Sequence, residues 1–164
     1  MREQLSRASA GLAGLILLVA CGSGPAPSPG ASANTNQCAN GGAPHRAYVV
    51  VQHLDGSSIT RCVGFTTDQI AGDQLMKQSG VKFESQHFSF GDALCAIDNE
   101  PKTFDTCLPK GAPYWGLWVS PSGGAYSQAQ TGFSDVKVGA AGALGWRYTP
   151  PTEANPSPPP LPRR

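Results

Sequence analysis

Apolar residues fall along this chain in four textures. Residues 8–20 form an uncharged run rich in Ala, Gly, Leu, Ile and Val. Residues 22–37 carry neither a charge nor a large apolar side chain. From 38 to 148, short β-branched and aromatic bursts alternate with clusters of turn residues. From 149 onward proline dominates. Period-two alternation in bursts of this length predicts strands, and clustered Gly, Pro, Asn and Asp between them predict turns.

The third stretch predicts a specific order of elements. Tyr48, Val49, Val50, Val51, Gln52 and His53 form a strand, and Asp55-Gly56 turns the chain into a second strand over residues 59–65. The two form a hairpin. Thr66, Thr67 and Asp68 offer helix-capping side chains, Ile70, Leu75 and Met76 an apolar stripe, and Gly80 a stop; one short helix is expected there. Strands resume at Val81. Phe83 is out of phase with Phe88 and Phe90, which predicts a bulge between them. Leu94 to Ile97 is a further strand, closed by a turn at Asp98, Asn99, Glu100 and Pro101. Tyr114-Trp115-Gly116-Leu117-Trp118-Val119 is the most strand-like segment, and strands at 136–138 and 144–148 complete the set. Strands in this majority with a single helix predict an α+β domain, the helix packed on a mainly antiparallel sheet.

The flanking textures read as export and tethering. Arg2 and Arg7 precede the apolar run, and the run ends Leu18-Val19-Ala20-Cys21. A basic flank before a short apolar run is the secretory pattern. Thirteen residues are too few to span hydrocarbon, which takes roughly 20. The Val-Ala-Cys ending resembles a bacterial lipoprotein processing box. We therefore expect a signal peptide over 1–20 and lipidation of Cys21, with the membrane as partner through that lipid on the outer face of the cell membrane. Residues 21–37 are expected to be a flexible tether, because they cannot bury enough surface to offset ordering entropy. The tail over 149–164 reads as a disordered, proline-rich end; its Pro-Pro-Pro-Leu-Pro core has the character of a ligand for an aromatic-lined groove.

Composition then narrows the chemistry of the domain over 38–148. It carries eight Lys and Arg against nine Asp and Glu, well interspersed, whereas nucleic acid calls for a basic face; no nucleic-acid partner is expected. Besides Cys21 there are Cys38, Cys62, Cys95 and Cys107. None forms a Cys-x-x-Cys pair, so two disulfides are preferred to a metal site. Four cysteines allow three connectivities. Cys95 with Cys107 is favoured because the pair encloses the turn at 98–101; Cys38 with Cys62 then follows. His45, His53 and His87 sit in no catalytic motif, and no nucleophile elbow or His-Glu-x-x-His occurs. No enzyme activity, cofactor or catalytic residue is assigned, and an extracytoplasmic hydrolase ranks third among functions. Aromatics gather in the last third. Alternation puts Tyr114, Gly116 and Trp118 on one sheet face and Trp115, Leu117 and Val119 on the helix side. Tyr114, Trp118 and Tyr126 are thus the candidate ligand-binding residues, the alternative being aromatic packing that covers that face.

The succession Arg61-Cys62-Val63, Ile70-Ala71-Gly72, Leu94-Cys95-Ala96-Ile97-Asp98, Cys107, Tyr114-Trp115-Gly116-Leu117-Trp118 and Gly145-Trp146-Arg147-Tyr148 resembles actinobacterial surface domains of the transcobalamin C-terminal-like family. The resemblance spans about residues 47–148. It implies a β-grasp-like sheet with one helix, and capture of a small molecule such as a corrinoid at the cell surface. The chain departs from the family where a Gly-Asp is common before the last strand: residues 139–144 keep the glycines without the carboxylate. The expected function is a lipid-anchored extracytoplasmic domain that binds a small ligand or assists uptake. The runner-up is an envelope module that binds another protein, such as a transporter, through its sheet face or its tail.

Overall fold

The computed structural model describes residues 38–163. The expected signal peptide, the lipidation site Cys21 and the tether lie outside the described residues. The element order is β1 (His45–Gln52), β2 (Ser58–Phe65), β3 (Gln69–Ala71), α1 (Gly72–Ser79), β4 (Phe83–Phe88), β5 (Gly91–Ile97), β6 (Tyr114–Ser120), β7 (Ser127–Gln128), β8 (Lys137–Gly139) and β9 (Ala143–Thr149).

The main sheet has five strands in the order β2-β1-β9-β6-β7. β1 and β2 form the expected antiparallel hairpin, with Val50 opposite Thr60. Its turn is secured by Gly56, at φ 83°, and by the Asp55 carboxylate, which accepts a 2.8 Å hydrogen bond from the Ser57 amide. The last strand returns to the middle: β9 runs parallel to β1, Gly145 opposite Val50, and antiparallel to β6. An opening hairpin, a helix, and a final strand laid parallel beside the first give the β-grasp-like α+β arrangement. Two small sheets complete it, β3 with β8 and β4 with β5. The bulge expected before Phe88 is present between Glu84 and Ser85.

One core lies between the sheet and the helix. Val49, Val51, Val63, Trp115, Val119, Leu144, Trp146 and Tyr148 project from the sheet onto Leu75 and Met76 of α1. Trp146 donates its indole N–H to the Met76 sulfur at 3.2 Å and meets Phe133 edge-on at 5.7 Å. Burial of such side chains contributes on the order of 1.5–3 kcal/mol each, which is why alternation on these strands governs their register. Both expected disulfides are present, Cys38–Cys62 and Cys95–Cys107.

Two expectations are corrected. The helix starts later than the capping side chains suggest. Ile70 belongs to β3, and Ala71 is the N-cap with no side-chain bond. Thr67 instead donates to the Gln69 carbonyl at 2.6 Å, holding a turn. Gly72 opens the helix because its backbone packs on the Phe133 carbonyl, with no room for a Cβ. Gly80 does end the helix, at φ 73°. The second correction concerns the tail. It has no regular secondary structure, as expected, but it is not loose: Pro159 and Pro162 are buried, and the segment lies on the outer face of the main sheet.

Candidate functional site

The residues expected to form one ligand seat are divided by the structure between two places. Tyr114 begins β6, half-buried, and lines a cavity of about 500 Å³. Trp115, Tyr148, Leu94 and Pro101 line the same cavity, with Thr103, Asp105 and Thr106 supplying polar groups. The loop between β5 and β6 forms the wall. Cys95–Cys107 pins that loop to the end of β5, with Cα atoms 4.7 Å apart.

The opposite wall is tied down by the turn after β5. Asp98 and Asn99 both take positive φ, 45° and 67°, a conformation these two residue types tolerate because their short polar side chains bond locally. The turn presents Glu100, whose carbonyl accepts the Trp115 indole N–H at 2.8 Å. The Glu100 carboxylate pairs with His53 Nδ1 at 2.7 Å. The His53 ring meets Trp115 edge-on at 5.7 Å, and Trp115 packs on Tyr148 at 4.8 Å. Burial, followed by the charge of Glu100, raises the Tyr148 phenol above its ordinary value. The cavity therefore has aromatic walls held by a defined network, and sequence reasoning missed half of it. The signal available was the acid at position 100 beside a proline; its partner His53 lies 47 positions earlier and carries no motif.

Trp118 lies on the outer sheet face, as alternation predicts, but the open seat expected there is absent. Trp118 is only 3% exposed, and its ring folds over Gly116, where a Cβ would come within 2.6 Å of it. Its cross-strand neighbour is Gly145. Above Gly145 sit Tyr126 and Pro159. The Tyr126 hydroxyl is buried without a hydrogen-bond partner among the described residues, and burial pushes its phenol up to about 12. Arg147, two residues on, grips the tail. Its guanidinium donates to both Glu153 carboxylate oxygens, at 2.7 and 2.9 Å, and to the Ser157 carbonyl and hydroxyl at 3.0 and 2.8 Å. Those bonds hold the Glu153 carboxyl below its ordinary value.

Among the described residues, no group of three or more His, Cys, Asp or Glu side chains gathers in a way that would hold a metal ion. His87 pairs with Asp92 at 2.8 Å on the surface, and His45 packs beside Phe65 at 5.5 Å; neither has further ligands nearby. No helix among the described residues is long and apolar enough to cross a membrane.

No family model matches the sequence, and no curated protein does. Among solved structures, the chain is similar to a Ruminococcus gnavus protein described as a candidate metal binding protein, at 20% identity and a TM-score of 0.43, over 63% of this chain and 94% of that one. A likeness this distant carries no argument about the chemistry here.

Proposed function

We infer that this protein is a lipid-anchored extracytoplasmic domain that binds a small, partly aromatic ligand in the cavity beside Tyr114. The observation that carries the reading is the cavity itself: about 500 Å³, aromatic on its inner walls, edged by a few polar groups, and braced by a disulfide. Ligand sites are commonly apolar clefts of about 300–1,000 Å³ with a few placed polar groups. The processing box at Cys21 supports the anchoring, and two disulfides suit an oxidising compartment. The resemblance to transcobalamin C-terminal-like domains agrees with surface capture of a small molecule. A whole corrinoid exceeds the cavity, so a ligand of one to three rings, or one arm of a larger one, fits the space better.

Native mass spectrometry of the detergent-solubilised mature protein tests this. Spectra are taken alone and with flavins, haem and corrinoids, for wild type and Tyr114→Ala. A saturable adduct lost in Tyr114→Ala supports the reading. An adduct unaffected by Tyr114→Ala would remove the cavity as the site, and no adduct from any of these ring systems would count against ligand capture. A second reading, binding of another polypeptide, is favoured by a separate observation, the tail lying on the sheet.

A further inference from the structure

Every residue from 155 to 162 is either a proline or the residue before one. Proline fixes φ near −65°, and the residue before it is driven to extended geometry. Such a segment forms a left-handed polyproline helix with three residues per turn. Burial of the tail follows that period. Pro156 is half-buried, Pro159 and Pro162 are buried, and the residues between them are exposed. One edge of a polyproline helix therefore lies along the outer face of the sheet.

The face reads that edge with a small set of groups. Arg147 takes the Glu153 carboxylate with two hydrogen bonds and also the Ser157 carbonyl. Gly145 leaves a slot for the Pro159 ring: a Cβ there would stand 2.7 Å from Pro159 Cγ and 2.9 Å from the Tyr126 ring. Farther along, Pro160, Leu161 and Arg163 lie beside Ser58 and Thr60 of β2, which face outward opposite Gln52 and Val50. Aromatic and side-chain-free slots for proline rings, with a side-chain donor to a ligand carbonyl, are how proline-rich peptides are recognised. The resident tail leaves one donor unused, because the buried Tyr126 hydroxyl beside Pro159 has no acceptor. An unpaired buried hydroxyl is costly, so a ligand that places a carbonyl there fits the groove better than the tail does.

We propose that the outer face of the sheet, at Tyr126, Gly145 and Arg147, is a docking groove for a proline-rich extended segment of another polypeptide, with residues 153–163 as its displaceable cis occupant. The partner segment carries a carboxylate on the N-terminal side of its prolines and a carbonyl within reach of Tyr126. The groove is independent of the cavity, and the proposal stands or falls separately from ligand binding there. A tethered ligand competes at an effective concentration near millimolar, so the tail sets the threshold a partner must exceed.

The test uses the full mature chain and a tail-released variant, Glu153→Gln with Pro159→Ala. The probe is a labelled peptide of residues 150–164, followed by fluorescence anisotropy. The released variant should bind the peptide at least tenfold more tightly than wild type. A peptide with Pro159→Ala and Pro162→Ala should bind at least tenfold more weakly, and so should the wild-type peptide to a released variant that also carries Arg147→Ala. A released variant with native circular dichroism that binds no peptide would overturn the groove. Equal binding by wild type and released variant would place the peptide elsewhere. Selection from a library of proline-rich peptides then tests the partner. Peptides tighter than the tail should lose that advantage in Tyr126→Phe, while affinity for the tail peptide itself should not fall and should rise as the unpaired hydroxyl is removed. If no peptide outcompetes the tail, or the advantage survives Tyr126→Phe, the assigned partner chemistry is wrong. Concentration-dependent dimers that vanish in the released variant would make a second copy the occupant and overturn the separate partner.

Discussion

Trp118 and Tyr114 share a face of β6 and differ in what their removal should do. Trp118 is buried against Gly116, so Trp118→Ala leaves a ring-sized void and should cost about 3–5 kcal/mol, the range for a deleted core aromatic. Trp115→Ala should cost as much. Tyr114 is half-buried at the cavity, and Tyr114→Ala should cost about 1–2 kcal/mol. Urea denaturation of the three variants checks the order; a nearly neutral Trp118→Ala would mean the outer face is open after all. Tyr126 supports a pH prediction. Its phenol is pushed up to about 12 by burial, from an unfolded value of 10.0. The neutral form is favoured in the folded state, so the contribution is fully present below pH 10 and is lost as pH rises toward about 12. Alkaline titration of tyrosinate absorbance should show late titration that falls by one tyrosine in Tyr126→Phe, any remainder belonging to Tyr148, whose phenol is also raised. A titration in which Tyr126→Phe removes an ordinary phase instead would contradict the burial.

At the scale of elements, two features stand on few covalent or ionic ties. Cys95–Cys107 closes a 12-residue separation and holds the cavity wall. Replacing both cysteines by serine should cost roughly 2–4 kcal/mol and abolish any adduct that wild type forms; denaturation and native mass spectra on one preparation check both, and unchanged binding would show that the loop is not the wall. The tail depends on the Arg147–Glu153 pair. Because Arg147 lowers the Glu153 carboxyl below its ordinary 4.5, docking is supported above that value and weakens as pH falls through the lowered one. Proteolysis of the tail should therefore accelerate on acidification; an identical rise in Glu153→Gln would point to another group. The hairpin, the bulge, the strand faces and the helix stop were legible in the sequence, because each follows from local turn chemistry or alternation. The helix start was not, since Gly72 opens it by packing on Phe133, 61 positions away in the chain. The cavity was half legible: Tyr114 stood out by composition, but the His53–Glu100 contact joins residues with no shared pattern. The covered face was illegible for a specific reason. Proline content predicts a stiff solvated segment, while its docking depends on Gly145 and Arg147, which alternation marks only as outward-facing.

For the whole molecule, the proposed function requires something that holds the domain at a surface. Its core is complete on one side of the sheet, its outer face is covered by its own tail, and its charges are nearly balanced, eight basic against nine acidic residues over 38–148. A weakly charged domain gains little from anionic headgroups, since surface attraction amounts to about 1 kcal/mol per clustered Lys or Arg. Under the proposed lipid anchoring, membrane association would come from the segment that precedes the domain. Acyl chains contribute about 0.8 kcal/mol per buried CH₂, and stable anchoring takes more than one chain, as lipidation of an N-terminal cysteine provides. Cys21→Ala should therefore leave the domain folded, with both disulfides formed, while the protein either leaves the membrane fraction or accumulates as an unprocessed precursor. Fractionation with intact-mass analysis separates the two, the precursor being heavier by the residues of the signal peptide. A Cys21→Ala protein that is processed and still sediments with membranes would show that the groove or another surface holds it there. Wild-type protein with no lipid mass on Cys21 would remove the anchor altogether.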